Sequence, residues 1–158
     1  MYTILLLSEK TLNAHDVRRI AELHGTEEVS VHLLVAADAD HNRLIEALDD
    51  VALGQLRDAL DDDQPTPQEA EQVAMHAVNA SIALLAAAGL PAKGSITGSN
   101  PVPAAIEAAR ADDVDELIVV TPPHLVQSAL HRDWASRLRD ELALPVLHVV
   151  SGTDRVIS

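Results

Sequence analysis

The chain has no cysteine and no phenylalanine, and its aromatic residues are Tyr2 and Trp134. Without cysteine there is no disulfide, no thiolate nucleophile and no Cys-ligated zinc or iron–sulfur site. Two rings make no stacking platform of the kind that holds single-stranded nucleic acid. Positive charge is scarce as well: 11 Lys and Arg stand against 25 Asp and Glu, a formal net charge of −14. That balance disfavours nucleic acid and anionic membrane as partners, since both are bound through cationic patches. No run approaches the ~20 apolar residues of a membrane-spanning helix. The apolar stretch in MYTILLLSEK lacks a basic flank and is too short for a signal peptide. A cytoplasmic protein is expected. Glycine is rare too, with none between Gly98 and Gly152.

What is present is aliphatic. Apolar residues make up 47% of the 158, mostly Ala, Leu and Val, enough for one domain spanning 1–158 with a substantial core. Thr3–Leu7 (TILLL) is a continuous apolar run, as expected of a strand buried on both faces. Asn13 can cap a helix in which Val17, Ile20, Ala21 and His24 share a face, with Gly25 at its C-terminal stop. Val29–Ala36 reads as a second strand and Asn42–Leu60 as an amphipathic helix. The acidic, proline-containing DDDQPTP reads as a surface loop. An alanine-rich helix over Gln68–Ala88 stops at Gly89, and Ala92–Thr97 is a weaker third strand. Gly98-Ser99-Asn100-Pro101 turns into a helix at Pro103–Ala111, capped by Asn100 or Ser99. Leu117–Val120, Trp134–Leu142 and Pro145–Val150 complete the pattern as strand, helix and strand.

Strands alternating with helices favour a doubly wound open sheet of five parallel strands with helices on both faces. Such a sheet places its ligand site in the loop after a strand, against the next helix's N-terminus. Here the loop after Leu117–Val120 is TPPHLVQSALHRD. It carries two prolines, two histidines, an arginine and an aspartate.

The chain resembles the universal stress protein family over nearly its full length. TILLLSEKT is similar to the family's opening strand. The passage LLAAAGLPAKGSITGSNPVPAAIEAARADDVDELIVV is similar to its central helix, strand, helix and strand, and LRDELALPVLHVV to its last helix and proline-led final strand. The resemblance implies a homodimer through the terminal strand Pro145–Val150, which pairs with its twin. Members that bind ATP carry G-x2-G-x9-G-(S/T) before the last helix and an acidic residue ending the first strand. In this sequence the first glycine falls on Thr121, the second on His124, the third on Arg132 and the hydroxyl residue on Asp133. The acidic position falls on Ser8, or on Glu9 with a one-residue slip.

Those replacements change the chemistry. Glycine amides cradle phosphates, whereas Pro122 and Pro123 have no amide hydrogen. Asp133 as the cap of a helix starting at Trp134 would set a carboxylate where a phosphate belongs. The expectation is a non-enzymatic stress-response or regulatory protein that has lost ATP binding and acts as a homodimer through an unknown protein partner. The alternative is a sensor of adenosine or an AMP-type adenine nucleotide. Its contacts would come from the degenerate positions Ser8, Gly98, Ser99, Thr121, His124, Arg132 and Asp133. An enzyme is the weakest reading, because no G-x-S-x-G elbow or paired acid and base stands out.

Other residues read plainly. His124, His131 and Asp133 could meet zinc or relay protons, but their spacing fits no standard ligand pattern and a polar loop accounts for them. No metal site is expected. Trp134 anchors the last helix on the sheet, and His32 and His148 are satisfied core or interface histidines. The free amides of Gly98-Ser99-Asn100 could hold an anion, with a capped turn as the plainer reading. His15, His24, His41 and His76 carry no assigned chemistry, and Asp61-Asp62-Asp63 is solvated charge.

Overall fold

The run TILLL lies at the heart of the sheet. The computed structural model describes residues 2–37, 67–98, 101–121, 129–153 and 156–157. Strand β1 (Tyr2–Ser8) pairs in parallel with β2 (Val29–Ala36) on one side and with β4 (Glu116–Thr121) on the other. Strand β3 (Ala92–Thr97) lies outside β2, and β5 (Val146–Val150) outside β4. The order is β3-β2-β1-β4-β5-β6, where β6 (Val156–Ile157) runs antiparallel to β5. The five long strands are all parallel, as the alternating pattern predicts.

Period-two alternation sends successive β1 side chains to opposite faces. Ile4 and Leu6 join Val31, Leu33, Val35, Ile118 and Val120 on one face, beneath helix α1 (Ala14–His24) and helix α2 (Pro67–Ala87). Leu5 and Leu7 join Leu34, Leu117 and Val119 on the other, beneath helix α3 (Val102–Ala111) and helix α4 (Ala129–Glu141). Trp134 is 2% exposed in that second layer and anchors α4, as expected.

Local signals explain most boundaries. Asn13 Oδ1 accepts from the Asp16 amide at 2.9 Å, and Gly25, at φ 57°, ends α1 in the left-handed conformation that glycine adopts freely. Helix α2 opens on Pro67, where a missing amide hydrogen costs nothing. The expected helix over Asn42–Leu60 and the acidic loop after it lie outside the described residues.

Three expectations need correction. The last helix starts at Ala129 rather than Trp134, so Asp133 is its fifth residue and not its cap. Nothing in ALHRD breaks a helix, and Ala, Leu and Arg are strong helix formers. Helix α3 starts at Val102 with Pro101 at its cap position and no side-chain capping bond, in place of the expected Asn100 or Ser99. Proline's fixed φ suits the entry of a helix. Finally, the edge of β5 is not bare. Strand β6 pairs His148 with Ile157 and Val149 with Val156.

At the opposite edge, α2 crosses β3 closely. A Cβ at Gly94 would sit 2.7 Å from Val78 Cγ1 and 3.1 Å from Ile82 Cδ1, so only glycine fits without a shift. The far end of α3 is tied down by Asp112, whose carboxylate meets His32 Nδ1 at 2.5 Å and Lys93 Nζ at 3.1 Å. His32 is thereby satisfied. Hydrogen bonds from Lys93, then His32, hold the Asp112 carboxyl below its usual range.

Gly94→Ala is expected to cost about 1–3 kcal/mol of stability by overpacking, and Val78→Ala in the same chain to recover part of it, both read by urea denaturation. Because the folded pKa of Asp112 is lowered, its contribution is present above the unfolded value of about 3.9 and is lost as pH falls through the folded value. Wild type is therefore expected to exceed Asp112→Asn in stability at pH 7, by up to about 1 kcal/mol as befits a solvent-screened pair. The advantage should shrink as pH falls below the unfolded value of about 3.9 and vanish once pH is below the folded value.

Candidate functional site

The chain leaves β1 toward the α1 face and leaves β4 toward the α4 face. The two neighbouring strands therefore diverge at their carboxyl ends, where an open α/β sheet forms its crevice. Ser8 ends β1 opposite Val120 of β4, and Thr121 is the next residue along β4. Glu9 follows Ser8 directly. All three are buried: Ser8 is 4%, Glu9 5% and Thr121 0% exposed. The sheet thus brings together Ser8 and Thr121 of the expected positions, with Glu9 beside them.

The hydroxyls here are already committed. Ser8 Oγ donates to the Lys10 carbonyl at 2.7 Å and accepts from the Lys10 amide at 3.3 Å, which shapes the turn out of β1. Thr121 Oγ1 lies 2.6 Å from His148 Nε2, and both side chains are buried. His148 is a satisfied core histidine, as the sequence reading has it. A buried hydroxyl–imidazole pair is strong in so dry a setting, and neither partner can turn to a ligand without losing the other. Leu12 N donates to Ser81 Oγ at 2.9 Å, tying the β1–α1 loop to α2.

Gly98 follows β3, separated from β1 by the whole of β2, or about 10 Å across two strand spacings. Arg132 and Asp133 lie within α4, past its opening residues, and no acidic residue occupies its first turn. Ser99, His124 and the two prolines after Thr121 lie outside the described residues. With Asp133 off the cap, the free amides of α4 come five residues earlier than the sequence reading places them. Among the described residues no group of three His, Asp or Glu side chains could hold a metal ion. No helix among them is long and apolar enough to cross a membrane.

Sequence reasoning missed the network around Asp16. This carboxylate, 1% exposed in the first turn of α1, accepts from Ser151 Oγ at 2.6 Å and from the Gly152 amide at 2.8 Å. Asn13 Nδ2 adds a bond to Ser151 Oγ at 3.3 Å, and the Ser151 amide donates to the Thr121 carbonyl at 2.9 Å. The one local signal was an aspartate three residues after an N-cap asparagine. His24 was missed as well. Its Nε2 lies 3.0 Å from Glu116 Oε2 and its ring 5.0 Å from that of Tyr2. Burial raises the Glu116 carboxyl above its usual range.

This architecture is the universal stress protein-like α/β fold. Hypothetical protein MJ0577 superposes with a TM-score of 0.59 at 15% identity, over 97% of this chain and 98% of its own. A universal stress protein family protein from Arabidopsis thaliana, solved with AMP bound, gives 0.52 at 11%, over 96% and 94%. The universal stress protein from Archaeoglobus fulgidus in complex with dAMP gives 0.51 at 10%, over 95% and 98%. At these identities the likeness is one of fold. Neither family sequence models nor curated protein sequences match the chain.

Thr121→Val keeps the shape of the side chain but takes the hydroxyl from His148. It is expected to destabilise the fold by about 1–3 kcal/mol, the range for stranding a buried polar partner, measured by chemical denaturation.

Proposed function

We propose that the chain is a non-enzymatic, cytoplasmic regulatory protein of universal stress type that does not hold ATP in that family's manner. It acts as a homodimer through contacts with a protein partner. The observation that carries this reading is the end of β4. There Thr121, standing where the resemblance puts the first phosphate-cradling glycine, is 0% exposed with its hydroxyl on His148. Pro122 and Pro123 come next and have no amide hydrogen to offer an anion. A nest of backbone donors cannot begin on such a sequence.

A second reading keeps the same cleft for adenosine or an AMP-type nucleotide. Glu9 favours it, as a buried carboxylate directly after β1. In nucleotide-binding α/β sheets an acidic side chain takes the ribose hydroxyls. Structural neighbours solved with AMP and with dAMP lend support.

A thermal-shift screen of ATP, ADP, AMP, adenosine and cyclic AMP, with and without magnesium, separates the two. A ligand at a hundredfold excess over its Kd stabilises by about 2.7 kcal/mol, a rise in Tm of about 5–10 °C for a chain of this size. The leading reading expects no shift with ATP, and a clear one overturns it. A shift confined to adenosine and AMP establishes the second reading.

A further inference from the structure

At the amino edge of the sheet, opposite the crevice, helix α1 ends on a histidine. The His24 side chain is 10% exposed, and that of Glu116, which opens β4, is 15% exposed. His24 Nε2 lies 3.0 Å from Glu116 Oε2, and neither atom has a hydrogen bond to any third group. The other ring nitrogen, Nδ1, lies 3.9 Å from Glu27 Oε2 in the turn after the helix. Neutral imidazole carries one N–H, so it must turn a lone pair toward one of these two carboxylates. Imidazolium is a donor at both nitrogens and faces an opposite charge at each.

The rest of the surroundings favour the same form. The last turn of a helix carries unpartnered carbonyls and attracts a cation. The Tyr2 ring of β1 lies 5.0 Å from the imidazole, within reach of a cation–π contact. The charged groups around the pair are acidic: Glu116 on β4, Asp115 just before it, and Glu27 and Glu28 ahead of β2. One turn back on α1 stand Ile20 and Ala21, which are apolar. Burial, then the charges of Glu116, Asp115 and Glu27, raise the Tyr2 hydroxyl, so tyrosine stays neutral at physiological pH. Burial also raises the Glu116 carboxyl, because a bare carboxylate is costly in this place.

We propose that His24 is a proton-operated clasp between α1 and β4. As imidazolium it pairs with Glu116 and closes the last turn of α1 onto the sheet. On losing its proton it leaves a buried carboxylate without a counter-charge, and that end of the helix loosens. With its folded value raised, Glu116 contributes stability that is present at low pH and lost as pH rises, and a charged His24 acts in the same direction. Histidine changes charge between about pH 5 and 8. Mild acid therefore tightens this one element and mild alkali releases it. The clasp lies at the edge away from the crevice and holds whether or not a nucleotide binds there.

The test compares the full chain as wild type, Glu116→Gln and His24→Gln, the last serving should Glu116→Gln fold poorly. Urea denaturation is run from about pH 8.5 down to about pH 5.5, a span that brackets the histidine range. Over it the wild-type folding constant is expected to rise about tenfold more than that of either variant, the equivalent of about 1.4 kcal/mol. Hydrogen exchange, corrected for the intrinsic effect of pH, reads the amides of Gly25 and Glu27, which bond the Ala21 and His24 carbonyls. Their exchange is expected to slow with acid in wild type and to stay level in the variants. Parallel stability profiles in wild type and a folded variant overturn the clasp. A profile flattened by Glu116→Gln but not by His24→Gln overturns His24 as the proton carrier. A difference in stability without a change at those two amides overturns the local opening.

Discussion

The position of β1 is the constraint on which the rest of the structure depends. It is hydrogen-bonded on both sides, to β2 and β4, and Ile4, Leu5, Leu6 and Leu7 are all at most 1% exposed. A strand with no solvent on any side must be apolar at every position, and each such side chain contributes about 1.5–3 kcal/mol by leaving water. Because β2 follows β1 on one side and β5 follows β4 on the other, right-handed crossovers leave the two strands toward opposite faces. The divergence makes the crevice. That divergence is a consequence of topology, whatever residues stand at the strand ends.

Its chemistry is then decided by those residues. A phosphate site of this architecture needs exposed amides at the end of β4 and small residues that let an anion approach. This chain instead spends the Thr121 hydroxyl on His148 and the Ser8 hydroxyl on its own turn. What it adds is acidic, with Glu9 and Asp16 both buried at the carboxyl edge. Carboxylates at the mouth of a helix and strand suit hydrogen-bond donors and repel anions. The same edge is well built to hold Ser151 and Gly152.

Where the sequence could be read, the reason was local. TILLL, VSVHLLVA and ELIVV announce strands buried on both faces, Asn13 and Gly25 bracket a helix, and Trp134 had one plausible place to go. The start of α4 was misread because ALHRD offers a capping residue, Asp133, inside a stretch with no helix breaker. Strand β6 is two residues long, too short for any periodicity to reveal. The Asp16–Ser151 bond joins residues 135 positions apart, and no single-sequence pattern reports such a pair. Much the same holds for His24 and Glu116, brought together only when α1 folds back over the sheet. Parts of the expected site, Ser99 and His124 among them, lie outside the described residues.

The proposed function holds that the carboxyl edge keeps the topology of a nucleotide-binding sheet without its phosphate chemistry. Isothermal titration of adenosine, AMP, ADP and ATP with magnesium reads that claim directly, as the change in affinity with each added phosphate. A phosphate cradle makes every phosphate favourable. The account predicts that ATP binds no more tightly than adenosine, if either binds. An ATP affinity more than about tenfold above that of adenosine, or about 1.4 kcal/mol, contradicts it.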